Sequence, residues 1–188
     1  MTTLKKLQTL QNKITNRIIE LQKISQEKWG VSPEMRVMYD LDSVKTLGTA
    51  NYYKGTMRLN KHLLLEFGDV YIDEVVVHEY AHFVTDAIAK EKMTRYQAHG
   101  REFKQICSKF GIVGKATTNK FSDSKYLKDK KDKLKANKKV FYYGCDCNYY
   151  KELSTTIHNR IQRGRASYNC RACKVTLKFV KQRSKLIA

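Results

Sequence analysis

No window of the 188-residue chain is long and apolar enough to span a bilayer. Its first residues, Met1-Thr2-Thr3-Leu4-Lys5-Lys6-Leu7-Gln8, lack the apolar centre of a secretory signal. These two absences set aside a helical membrane protein and make an intracellular setting, cytoplasmic or nucleoid-associated, the expectation. Cysteine is scarce, with five in all, and in a reducing compartment few cysteines point to metal binding before disulfides. There is one proline, Pro33, and no internal repeat. The largest shortage is of acid: 18 Asp and Glu stand against 37 Lys and Arg, a formal net charge of +19.

That imbalance is uneven. Residues 1–113 carry 17 basic against 13 acidic side chains, residues 114–139 carry 10 against 3, and residues 140–188 carry 10 against 2. A basic rear half suits a phosphate backbone, where binding is driven by counterion release. It suits an anionic membrane surface less well, because the basic region has no amphipathic helix with a large apolar face. DNA is therefore the expected partner. The 41% hydrophobic content supports a real core, and the length fits one moderate domain plus a small appendage. The expected division is a first domain over 1–113, a Lys-rich linker or frayed basic helix over 114–139, and a small basic subdomain over 140–188.

The first domain is arranged around Val75-Val76-Val77-His78-Glu79-Tyr80-Ala81-His82-Phe83-Val84. On a helix, residues four apart share a face, so His78 and His82 can share one metal ion. Glu79 is placed to take a proton from water beside that ion, the HExxH logic of zinc peptidases. The segment is apolar nearly all round, which marks a central helix, and buried ionisable groups there need compensation. A third ligand is available in His99, just ahead of the helical spacing Phe103, Ile106, Cys107 and Phe110. His62 and His158 are less well placed. Tyr52 and Tyr96 are candidates for stabilising an oxyanion.

Around this helix, Leu4, Leu7, Leu10, Ile14, Ile18, Leu21 and Ile24 predict a long helix ending near Trp29-Gly30. Met35–Tyr39 reads as a strand, and residues 48–60 read as a hairpin about Lys54-Gly55. Leu63–Leu65 suggest a short helix. Asp69 or Asp73 is expected to cap the metal helix.

The rear block carries Cys145-Asp146-Cys147 and Cys170-Arg171-Ala172-Cys173. So short a segment buries little apolar surface, whereas four thiolates on one zinc would hold it folded. The first pair has a one-residue gap, so either all four cysteines bind, or one of Cys145 and Cys147 is a bystander and His158 completes the set. Cys107 reads as core. Arg160, Arg163, Arg165 and Lys151, with Tyr168, can grip phosphates and stack on bases, single strands especially.

These residues together, Ile72 through His82, His99-Gly100-Arg101-Glu102-Phe103, the Cys-x-Cys, His158-Asn159-Arg160-Ile161, Arg163-Gly164 and Tyr168-x-Cys170-x-x-Cys173, closely resemble the SprT-like family over about residues 35–178. The resemblance implies an α+β fold: a zincin-type metalloprotease domain of helices and a small antiparallel-containing sheet, followed by a zinc-ribbon subdomain. It implies a relationship to the Spartan proteases that degrade proteins crosslinked to DNA. It further implies that His78, His82 and His99 hold a catalytic zinc, that Glu79 is the base, and that a second zinc is structural. The expected function is a zinc-dependent endopeptidase recruited to DNA; the alternative is a zinc-stabilised nucleic-acid-binding or regulatory protein without peptidase turnover.

Overall fold

The apolar stripe at the start of the chain forms one helix, α1 (Thr3–Trp29), which buries Leu10, Ile14, Ile18, Leu21 and Ser25. Leu4 is 79% exposed, whereas Leu7 packs partly buried against the core, so the stripe reaches the core from the second turn. The helix stops at Gly30, whose φ of 72° suits glycine and whose N–H bonds Gln26 O. The computed structural model describes residues 2–91, 97–116 and 118–184, and the fold is α+β in two units, Met1–Leu127 and Lys128–Ala188.

In the first unit, β1 (Arg36–Met38), β2 (Gly48–Asn51) and β3 (Thr56–Leu59) form a sheet in the order β1-β3-β2. The hairpin β2–β3 is antiparallel, Ala50 facing Met57, and β1 runs parallel to β3. β2 is thus an edge strand. Met57 and Leu59 are fully buried. Asn60 caps α2 (Lys61–Phe67), its side chain accepting from the N–H groups of His62 and Leu63. The buried Tyr71 hydroxyl donates to Leu47 O at 2.6 Å and accepts from Asn60 N–H at 2.9 Å, tying the strand approach to the next helix.

The metal helix begins earlier than the sequence suggests. A short α3 (Asp69–Tyr71) runs into a π turn (Ile72–Val76) and then α4 (Val77–Glu91). The capping expectation is therefore corrected: no side chain caps α3, Asp69 pairs with Lys13 at 2.7 Å, and Asp73 lies 3.8 Å from Arg17. The wide turn carries an extra residue, which shifts the phase of the side chains ahead of the histidines. α5 (Arg101–Lys109) packs on α4 and buries Phe103, Ile106 and Cys107; burial pushes the Cys107 thiol up to about 12.

Residues 118–127, read from sequence as part of a linker or frayed basic helix, belong to this first unit. Phe121 is buried in the core against Phe67 and Tyr71. The Glu66 carboxylate accepts from Ser124 Oγ and Lys125 N–H, both at 2.6 Å, at the start of α6 (Lys125–Ala136). The Lys-rich run is thus a helix.

The second unit has β4 (Lys139–Gly144), β5 (Tyr150–Ser154), α7 (Thr155–Gln162) and β6 (Lys178–Ser184), with an antiparallel sheet in the order β5-β4-β6. Among the described residues its buried core cluster is Phe141, Tyr143, Leu153, Cys170 and Leu177. No helix among the described residues is long and apolar enough to cross a membrane.

Candidate metal centres

The helical spacing of α4 sets His78 above His82 with ring centroids 5.0 Å apart. His99 reaches them from the turn before α5. Gly100, extended at φ −75° and ψ −164°, begins that helix, so His99 enters just ahead of it. Its ring lies 5.3 Å from His78 and 4.8 Å from His82, and the Nε2 atoms of His78 and His99 are 3.3 Å apart. All three ligand nitrogens fall within 4.8 Å of one another. Nitrogens bound tetrahedrally to zinc at about 2.0–2.1 Å would stand roughly 3.3 Å apart, so the spacing fits a shared ion.

Phe103, in the first turn of α5, closes the back of the site. Its ring centroid is 4.4 Å from His82, stacked, and 5.0 Å from both His78 and His99. Burial holds His82 down to about 3 and His78 down to about 4, with the neighbouring histidines adding to the effect. These two rings, His78 and His82, are therefore neutral at physiological pH, the form that offers a lone pair to a metal.

Glu79 is buried and anchored to the sheet. Burial pushes its carboxyl up to about 7, and a backbone hydrogen bond from Ala50 pulls the other way. The approach is close: a Cβ on Gly48 would meet Val75 Cγ1 at 2.7 Å and Glu79 Cγ at 2.9 Å. The absence of a side chain at Gly48 is what lets β2 lie against Glu79. Sequence patterning missed the roles of Gly48, Ala50 and Phe103; the glycine at the head of a strand was the available sign. Tyr52 packs against Tyr53 at 4.8 Å, near Lys90, and Tyr96 lies outside the described residues.

In the second unit the four cysteines come together. Cys145 and Cys147 Sγ are 2.9 Å apart, Cys147 and Cys170 3.5 Å, and Cys173 and Cys145 3.6 Å, with all four within 4.8 Å. Sulfurs placed tetrahedrally about zinc at 2.3 Å would stand roughly 3.8 Å apart, so the donor set is that of a zinc ribbon. Each pair sits on a tight turn: Asn148 N–H bonds Cys145 O, Lys174 N–H bonds Cys170 O, and both donor residues have φ near 60°. Backbone hydrogen bonds from Cys173 and Ala172 pull the Cys170 thiol down to about 6.

His158 is not a ligand here, which corrects that alternative. It stacks on Phe141 at 3.8 Å, and its Nδ1 is 2.9 Å from the Tyr143 hydroxyl. The apolar core claims the imidazole, and both cysteines of the one-residue-gap pair join the cluster. Arg160, Arg163 and Arg165 are exposed at the end of α7 and in the turn that follows. Lys151 Nζ lies 4.8 Å over the Tyr168 ring.

The model of the SprT-like family matches residues 18–125, which include all three histidines and Glu79. Among curated relatives, the protein named Protein SprT from Proteus mirabilis is 31% identical over 135 residues, 72% of this chain and 72% of its own length. The Vibrio atlanticus Protein SprT is 33% identical over 135 residues, with the same coverage of both chains. That of Pectobacterium carotovorum is 35% identical over 133 residues, 71% of this chain and 69% of its own. No solved structure matches.

Proposed function

The chain belongs to the SprT-like family, and on that premise we propose that it is a zinc-dependent endopeptidase recruited to DNA, acting on DNA-bound or DNA-crosslinked proteins. The observation that carries the reading is the convergence of three imidazoles, with the buried carboxylate of Glu79 next to His78 in the chain and bonded to the edge of a sheet. His78, His82 and His99 would hold the ion. Bound there, zinc would supply Lewis acidity toward a peptide carbonyl and toward water.

The chain's own residues do the rest. Glu79, desolvated and next to His78 in the chain, accepts a proton from the attacking water on its carboxylate and returns it to the leaving amine. The edge strand β2 has β3 as its one strand neighbour and, apart from the Ala50 N–H that Glu79 takes, its outer edge would offer a substrate segment backbone groups for strand addition. Phe103 excludes water behind the rings and keeps them in register. The basic rear half, 10 cationic against 2 acidic side chains in residues 140–188, would bring the enzyme to DNA, so that location more than peptide sequence directs cleavage.

Glu79→Gln tests the chemistry: zinc content and DNA affinity are expected to persist while proteolysis of a DNA-bound protein falls at least about 10²-fold. Unchanged cleavage would remove Glu79 from the mechanism. The second reading, a zinc-stabilised nucleic-acid-binding or regulatory protein without turnover, is favoured by the cysteine site and basic charge alone. Zinc-loaded wild-type protein that binds DNA but leaves every DNA-bound protein substrate intact would favour it.

A further inference from the structure

Beside His99 an open groove of about 730 Å³ runs between α5 and the end of α1. Its walls include Trp29, Arg101, Lys104 and Lys109, and neither Gly48 nor Glu79 lines it, so it is separate from the β2 edge where a peptide would pair. We propose that this groove binds a single strand of nucleic acid, with phosphates on Arg101, Lys104 and Lys109 and a base against Trp29, giving the first unit its own nucleic-acid contact next to the histidine site.

The charge is the first reason. Among the described residues three cations and no acid line the groove, all three are exposed, and none of them forms an ion pair. This is a local excess in a region whose overall balance is close to neutral, with 17 basic against 13 acidic residues through position 113. At 1.5 Å rise per residue, Lys104 lies about 4.5 Å and Lys109 about 12 Å along α5 from Arg101. That row can follow successive phosphates of an extended strand.

The second reason is Trp29. It stands against Phe110 in a T-shaped contact at 5.8 Å and remains partly exposed at the groove. A cationic row flanked by an aromatic ring is the arrangement that takes a single strand without regard to sequence. An acidic peptide would satisfy the cations but would leave the indole without a planar partner. A strand seated here passes close to His99, so a protein attached to it is presented near the metal site. The inference shares its nucleic-acid partner with the proposed function but depends on neither the peptidase chemistry nor the second unit.

Trp29 is the only tryptophan in the chain, so its emission reports this groove alone. Full-length zinc-loaded protein would be titrated with a thymidine oligonucleotide, total binding followed by anisotropy of a labelled strand and groove binding by Trp29 quenching with the unlabelled strand. Quenching is expected to track the anisotropy. The double variant Lys104→Glu, Lys109→Glu, folded by circular dichroism, is expected to lose about fivefold or more in affinity, most of the quench, and about 1.4 from the log–log salt slope. The variant Arg163→Glu, Arg165→Glu is expected to keep the full quench at saturation. Anisotropy that rises with unchanged Trp29 emission would overturn the inference while leaving recruitment through the second unit intact. Poly-glutamate that quenches Trp29 and displaces the oligonucleotide would reassign the groove to acidic peptides. Absence of any oligonucleotide binding would overturn both nucleic-acid readings.

Discussion

The histidine site and the cysteine site use similar numbers of ligands but very different amounts of protein. His78 and His82 stand on α4 and His99 on the turn before α5, against a core of two dozen buried residues among those described, from Leu10 to Leu127. Cys145, Cys147, Cys170 and Cys173 close a unit whose buried core cluster, among the described residues, is five residues, one of them Cys170 itself. In the first unit the fold makes the site. In the second the site makes the fold, because too little apolar surface is buried there to offset the entropy of ordering the chain. Three histidines suit an ion that keeps a fourth position open, and four thiolates suit one that is fully enclosed.

The largest effect that tests this contrast is metal removal. A strong chelator, or Cys173→Ser, is expected to abolish the protection of residues 139–184 in hydrogen exchange while α1 and α4 stay protected. Equal loss in both units, or in neither, would break the contrast. Next in size is Phe103→Ala, which empties space behind all three rings and is expected to cost about 3–5 kcal/mol in the first unit's stability, with zinc affinity at the histidines lowered as well. Stability lost with histidine-site affinity unchanged would make Phe103 core only. Smaller still is Gly48→Ala, whose Cβ would press on Val75 and Glu79. It is expected to cost about 1–3 kcal/mol and to lower cleavage by moving Glu79, with zinc content unchanged; wild-type activity would mean that the β2 edge does not position the glutamate.

What the sequence disclosed follows the range of the interactions involved. α1, the β2–β3 hairpin and the His78–His82 pair depend on spacings within a few residues, and each stands where periodicity put it. The cysteines were legible as pairs because turns that present thiols are local, but which of His158 and the one-gap cysteines would bind depended on the aromatic stack with Phe141 and Phe179, assembled from three elements. The π turn at Ile72–Val76 left no mark in composition, since its acidic residues read as helix caps. Residues 114–127 looked like linker because their polarity hides the two anchors that matter, Phe121 in the core and Ser124 on Glu66. The fit between Gly48 and Glu79 joins positions 31 apart in sequence and is visible only once the sheet lies on the helix.

Whether the three imidazoles hold an ion in an already built site is tested most directly by elemental analysis of zinc per folded chain, wild type beside His78→Ala, His82→Ala. Two zinc ions in the wild type and one in the variant, whose first-unit helices remain protected from exchange, is the expected result. The same zinc count in both proteins would contradict it.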